Sequence, residues 1–145
     1  AEGTGDITAI FTVLVAGSDM EEPVADILRG LLDGHVVLDR NIAERGRFPA
    51  IDVLRSVSRS LPGAASEPEN QLIARARRLI GRYEDAELML QAGLYAVGTD
   101  AETDAAIACR LPLEGFLGAR QANGADAAFK DLARVLSPNA RPLPL

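Results

Sequence analysis

Tryptophan is absent from this 145-residue chain, and cysteine, histidine and lysine occur once each, as Cys109, His35 and Lys130. A single cysteine closes no internal disulfide, and a single histidine builds no His-based zinc site. Cys109 has no ligand partners at metal spacing, so it reads as a small apolar filler, and His35 reads as a residue at a helix exit. Fourteen of the fifteen basic residues are arginine, yet they form no dense basic run and the net charge is −6. Such a chain has no surface to neutralise a phosphate backbone, which excludes nucleic acid as an expected partner. No apolar stretch approaches the ~20 residues that span a bilayer, and no targeting peptide is visible. A reducing, cytosolic setting fits these absences.

What is present is apolar content of 48%, enough for a real core in one ordinary domain or two small units. The chain opens at Ala1 without methionine and runs almost at once into Ile7 to Val15, so it reads as the middle of a larger protein. That run is β-branched with little polar alternation, which predicts a strand covered on both faces inside a parallel sheet. Asp19 offers an N-cap with Glu22 three residues on and Pro23 in the first turn. Val24, Ile27, Leu28, Leu31 and Leu32 then repeat at helical spacing as far as Gly34. A short apolar run, Val36 to Leu38, follows, giving the strand-helix-strand order of an α/β sheet. Asn41 to Arg45 predicts a turn or two of helix stopped by Gly46.

Leu61-Pro62-Gly63-Ala64-Ala65 is a breaker-rich joint beyond which no convincing strand occurs. Ser66 and Glu69 form a capping-box pattern around Pro68. Leu72, Ala76, Leu79, Tyr83, Ala86 and Leu90 then mark one face of a long helix ending near Gly93. Shorter helices are predicted from about Asp100 to Arg110, Pro112 to Leu117 and Asp126 to Leu136, making a small helical bundle with a loose tail from Ser137. Arg75, Arg77, Arg78 and Arg82 share the long helix with Glu84, Asp85 and Glu87, the pattern of a solvated face that a ring protein could also use against a partner.

The stretch from Gly46 to Arg59 carries chemistry. Phe48, placed by Pro49, presents a ring able to stack on a nucleobase, and Arg59, in the Ser-rich turn Arg55-Ser56-Val57-Ser58-Arg59, presents a planar fork suited to phosphate oxygens. The bland alternatives are a core anchor for the Phe and a solvated charge or structural salt bridge for the Arg. Arg55 beside it reads as a surface or interface charge.

Gly5-Asp6-Ile7-Thr8-Ala9, Asp19 to Asp26, Leu32 to Leu38, Phe48 to Leu54 and Ser56-Val57-Ser58-Arg59 resemble, in order and spacing, the end of the catalytic domain of the flagellar type III export ATPases. Virulence-type secretion ATPases and rotary ATP synthase subunits are their relatives. Gly93-Leu94-Tyr95 and Gly98-Thr99-Asp100 with Asp104 resemble the C-terminal domain of the same family. Ser18 stands where the family usually has an acid, and Asp39 where it usually has a serine.

The resemblance implies an α/β fold: the C-terminal part of a RecA-like P-loop NTPase core over 1–62, a small all-α helical domain over 63–137 and a flexible tail at 138–145. It implies a homohexameric ring that hydrolyses ATP with Mg2+ at subunit interfaces to drive flagellar protein export. The chain contains no GxxxxGK[ST], so the phosphate loop and metal-holding acids would lie elsewhere and this piece would be inactive alone. Phe48 then matches the position that packs on adenine, and Arg59 matches the arginine finger offered to the neighbour's ATP. Phe116 either closes the other side of the adenine pocket or serves in the core. Implied partners are further copies of the chain, stalk and regulator proteins and chaperone-cargo complexes, with peripheral membrane association through the export gate, in the bacterial cytoplasm at the base of the export apparatus. The alternatives are a C-terminal binding module for chaperones or substrates and a virulence-type secretion ATPase.

Overall fold

A computed structural model of the chain describes residues 3, 5, 7–15, 23–120 and 123–137. They fall into two compact units, Ala1–Asp33 and Gly34–Leu145. In the first, α1 spans Pro23–Leu31 with Asp26 and Arg29 paired at 3.0 Å one turn apart. Ala25 is buried, whereas Ile27 and Leu31, both on the expected apolar face, are exposed. The Asp19 cap lies outside the described residues. Residues 7–15 form no strand, contrary to the expectation. A strand exists only through a ladder, and among the described residues of this unit there is no second strand to provide one.

The second unit begins with β1 (Gly34–Leu38), α2 (Arg40–Glu44) and β2 (Ile51–Ser58). Gly34, expected as a helix stop, is needed here as a strand residue, because a Cβ on it would sit 2.6 Å from the Val57 carbonyl oxygen. β1 and β2 pair antiparallel, whereas the parallel sheet expected was to join the run at 7–15 to that at 36–38. The reason lies in the connection. A parallel pair needs a full crossover, while α2 is five residues long and its end turns the chain straight back. Asp39 starts α2 by accepting the Asn41 and Ile42 N–H groups. Gly46, at φ +83°, ends it, with Gly46 N–H bonded to Ala43 O and Arg47 N–H to Ile42 O, the paired bonds of a Schellman motif.

Three helices complete the unit: α3 (Glu67–Gln91), α4 (Ala101–Gly118) and α5 (Gly124–Val135). The Glu69 carboxylate accepts both the Ser66 N–H and hydroxyl at 2.7 Å, so the capping box predicted for α3 is present. Asp100 caps α4 through the Glu102 and Thr103 N–H groups. Ala76 and Leu79 of α3, Ala106, Cys109 and Leu113 of α4, and Leu132, Val135 and Leu136 at the end of α5 form one core, with Leu72, Ile80, Tyr83, Phe116 and Phe129 around it. Cys109 is the apolar filler expected. Helix α4 runs unbroken through buried Pro112, where two segments were expected. Proline removes one N–H from a helix, and packing of its flanks against α3 and α5 holds the two halves in line. The α/β hairpin region followed by an all-α bundle is the architecture anticipated, and the tail at 138–145 lies outside the described residues.

Candidate functional site

Phe48 leaves the chain two residues after Gly46 and stands 66% exposed, so it is not the core anchor that an Phe-Pro pair more often is. Its loop is fastened to α4 from the preceding residue. Arg47 Nε lies 3.0 Å from Glu114 Oε2, and Arg47 Nη2 donates to Ile51 O at 3.0 Å. Arg47 Nη1 is buried without a hydrogen-bond partner. Arg110 closes the same cluster, pairing with Glu114 on the other oxygen and lying with its guanidinium 4.9 Å from the Tyr83 ring centroid. Glu114 lies two residues before Phe116 on α4, and the backbone of Phe48 comes near Gly118, where an added Cβ would lie 3.8 Å from the Phe48 oxygen. The loop carrying Phe48 and the helix carrying Phe116 are thus brought together. Phe116 itself is half-buried and packs against the bundle core.

Between Phe48 and Arg59 the strand is not regular. His35 pairs with Val57 and Val37 with Asp52, so the single residue Val36 faces four residues of β2, Val53 to Ser56. This wide bulge is built by side chains. Asp52 Oδ1 accepts the Leu54 and Arg55 N–H groups at 3.0 Å. The Ser56 hydroxyl donates to Asp52 O and accepts the Val37 N–H. Arg77 of α3 donates to Val53 O, to Leu54 O at 2.8 Å and to Ser56 O at 3.2 Å. His35 Nε2, acting as the donor, reaches Arg55 O at 3.2 Å. Every carbonyl the bulge withdraws from the ladder therefore has a side-chain partner. His35 is a strand residue with this task and not a helix exit.

Arg59 follows directly on Ser58, exposed, at the end of β2. The Ser-rich turn expected around it is a strand. Ile51 lies opposite Leu38 and Ser58 opposite Gly34, four residue rises or about 13 Å apart along β1. Phe48 and Arg59 consequently flank opposite ends of one hairpin and do not sit on adjoining turns. Arg55 pairs with Asp39 Oδ2 at 3.6 Å, which gives the unusual acid at position 39 a second use besides capping. Arg78 and Arg82 likewise reach across to α4. Arg82 binds Asp100 at 2.5 Å and Thr103 at 3.0 Å, so the expected solvated face of α3 is in part a set of tethers.

A cavity of about 370 Å³ lies between β2, α3 and α4, with Arg45, Arg47, Asp52, Tyr83, Glu84 and Glu114 among its walls. Burial, and then the neighbouring Asp52 and Glu87 carboxylates, push the Glu84 carboxyl above its ordinary range. No group of three or more His, Cys, Asp or Glu residues able to hold a metal ion occurs among the described residues. Sequence reasoning gave no role to Arg47 or Glu114 and placed Arg77 on a solvated face; the only further signal available was their place beside residues already singled out.

Known proteins resemble this chain in sequence and in fold. Residues 1–58 match the ATP synthase alpha/beta family, nucleotide-binding domain, and residues 65–137 match the T3SS EscN ATPase C-terminal domain. The flagellum-specific ATP synthase of Caulobacter vibrioides is 45% identical over 132 residues, covering 90% of this chain and 30% of that protein. The assembled ATPase EscN of the enteropathogenic E. coli type III secretion system superposes with a TM-score of 0.86 at 34% identity, covering 92% of this chain and 33% of EscN. EscN in complex with its central stalk EscO gives a TM-score of 0.72 at 32% identity, over 79% of this chain and 29% of that one. The chain thus spans about a third of the length of these relatives.

Proposed function

The chain belongs to the family of type III secretion ATPases defined by the EscN C-terminal domain, and on that premise we propose that it is the C-terminal part of a homohexameric ATPase that drives flagellar protein export. Residues 1–62 complete a RecA-like nucleotide-binding domain and 63–137 form its helical domain. ATP supplies the phosphoryl group whose transfer releases the free energy, with Mg2+ held by residues outside this chain. What the chain contributes is two side chains, with Phe116 of the helical domain as a third that borders the adenine pocket from its other side. Phe48 stacks on adenine, holding the base without reading its edges. Arg59 reaches the nucleotide of the neighbouring protomer and neutralises charge that grows on the phosphoryl oxygens during transfer. The observation carrying this reading is their placement: an exposed aromatic ring at one end of the hairpin and an exposed arginine at the other suit two different nucleotides in a ring.

The test is made in the full-length protein assembled as a hexamer. Arg59→Ala is expected to keep ATP affinity and to lower kcat by about 10³-fold or more, the scale of arginine fingers. Phe48→Ala is expected to weaken nucleotide binding by the 1–3 kcal/mol typical of base stacking, or about five- to 150-fold, with a smaller change in kcat. Unchanged turnover for the Arg59 variant would remove its role.

A second reading concerns partners. Leu88 and Met89 at the end of α3, with Leu94 and Val97 in the loop beyond, are exposed apolar residues. They favour docking of a stalk protein or of chaperone-cargo complexes on the helical domain, which would place the protein in the cytoplasm at the base of the export apparatus and in peripheral contact with its membrane gate. No helix among the described residues is long and apolar enough to cross a membrane. Binding of purified stalk or chaperone to residues 66–145, as strong as to the full-length protein, supports this reading, and retention only by the full-length protein opposes it.

A further inference from the structure

The four bulge carbonyls, Val53 to Ser56, have no ladder partner in β1, and three of the four are held by one guanidinium from α3. We propose that Arg77 is the positioning residue for Arg59: through the bulge it sets where the end of β2 stands, and it makes α3 the element that moves or fixes the finger. The proposal rests on the reading of Arg59 given above.

The chemistry requires an arginine. Five N–H donors in a rigid plane can serve several carbonyls at once, whereas a lysine ammonium is a single point that cannot span them. Ser56 O, the last carbonyl the bulge withdraws from the ladder, lies three residues before Arg59, and the short paired stretch Val57-Ser58, opposite His35 and Gly34, carries a shift at the bulge on to the finger. The other bulge bonds are local to the hairpin: Asp52 and Ser56 lie within β2, and His35 lies in β1. Arg77 alone among these partners belongs to the helical bundle, being anchored there by its neighbours Ala76 and Leu79 in the core. A partner that shifts α3 would therefore shift Arg59 and alter turnover without touching the nucleotide.

Arg77→Lys and Arg77→Met are compared with Arg59→Ala, singly and combined, in full-length hexamers. Expected is a kcat at least tenfold lower for Arg77→Lys, a nucleotide Kd within twofold of wild type, and a double variant with Arg59→Ala that turns over at the Arg59→Ala rate. Amide hydrogen exchange over residues 54–59 is expected to quicken in Arg77→Lys while that of α4 stays unchanged. Should Arg77→Met fail to assemble, Arg77→Lys and the exchange measurement decide. Wild-type kcat for Arg77→Lys, a loss that multiplies with that of Arg59→Ala, or unchanged exchange overturns the proposal. A slow Arg59→Ala beside a normal Arg77→Lys refutes the positioning role alone, whereas a normal Arg59→Ala refutes the finger and the positioning role together.

Discussion

Asp100 shows how much one side chain can hold. Its carboxylate accepts the Thr103 hydroxyl and backbone N–H and two N–H groups of Arg82, linking the start of α4 to the middle of α3. The Thr103 bond first, and then Arg82, keep its carboxyl well below the usual aspartate range. A carboxyl depressed in the folded state contributes stability at any pH above its unfolded value and loses it as pH falls toward the folded one. The Tm of the chain is therefore expected to drop as pH is lowered from about 5 to 3, the window just around and below the ordinary aspartate value. Asp100→Asn should start from a lower Tm at neutral pH and show a flatter slope, read by thermal melts at a series of pH values. Parallel slopes would mean that other carboxylates carry the acid sensitivity. The position was visible beforehand as a helix start, but Arg82 lies 18 residues away, and that bond is a consequence of packing.

Helices were the elements most open to reading from sequence. α3 follows from apolar spacing and its capping box and α5 from apolar spacing alone, because a helix's hydrogen bonds are local and its signals sit on the same few residues. Strand β2 was not legible. Its residues read as a turn because the bulge breaks the two-residue alternation, and the bulge exists through Asp52, Ser56, His35 and Arg77, the last two more than a dozen residues distant. α4 was read as two pieces because Pro112 breaks a helix on propensity, and packing overrode that. Leu113, beside it, is 4% exposed in the shared core of the three helices. Leu113→Ala is expected to cost about 2–5 kcal/mol of unfolding free energy, measured by urea denaturation of the chain. A loss under about 1 kcal/mol would show that the bundle core collapses around the cavity, leaving Phe116 and Leu72 to fill it.

Taken whole, the chain offers two side chains proposed to meet nucleotide and, among its described residues, no cluster for a metal. Residues 1–145 alone are expected to hydrolyse no ATP above the buffer rate in a phosphate-release assay, even when folded. Turnover that survives purification and is abolished by Arg59→Ala would refute the view that the missing two thirds of the relatives' length is needed.

Residue type and spacing were enough to point to an α/β region and a helical bundle and to single out Phe48 and Arg59 as candidates, since each of those signals lies within a few consecutive positions. Folding alone settled that the two flank opposite ends of a hairpin, that one side of Phe116 packs on the bundle core, and that Arg47 and Arg77 tie the hairpin to the bundle. Those outcomes depend on bonds between residues 13 or more apart in sequence, and a hydrogen bond leaves no trace in a sequence when its donor and acceptor are brought together only by the packing of everything between them.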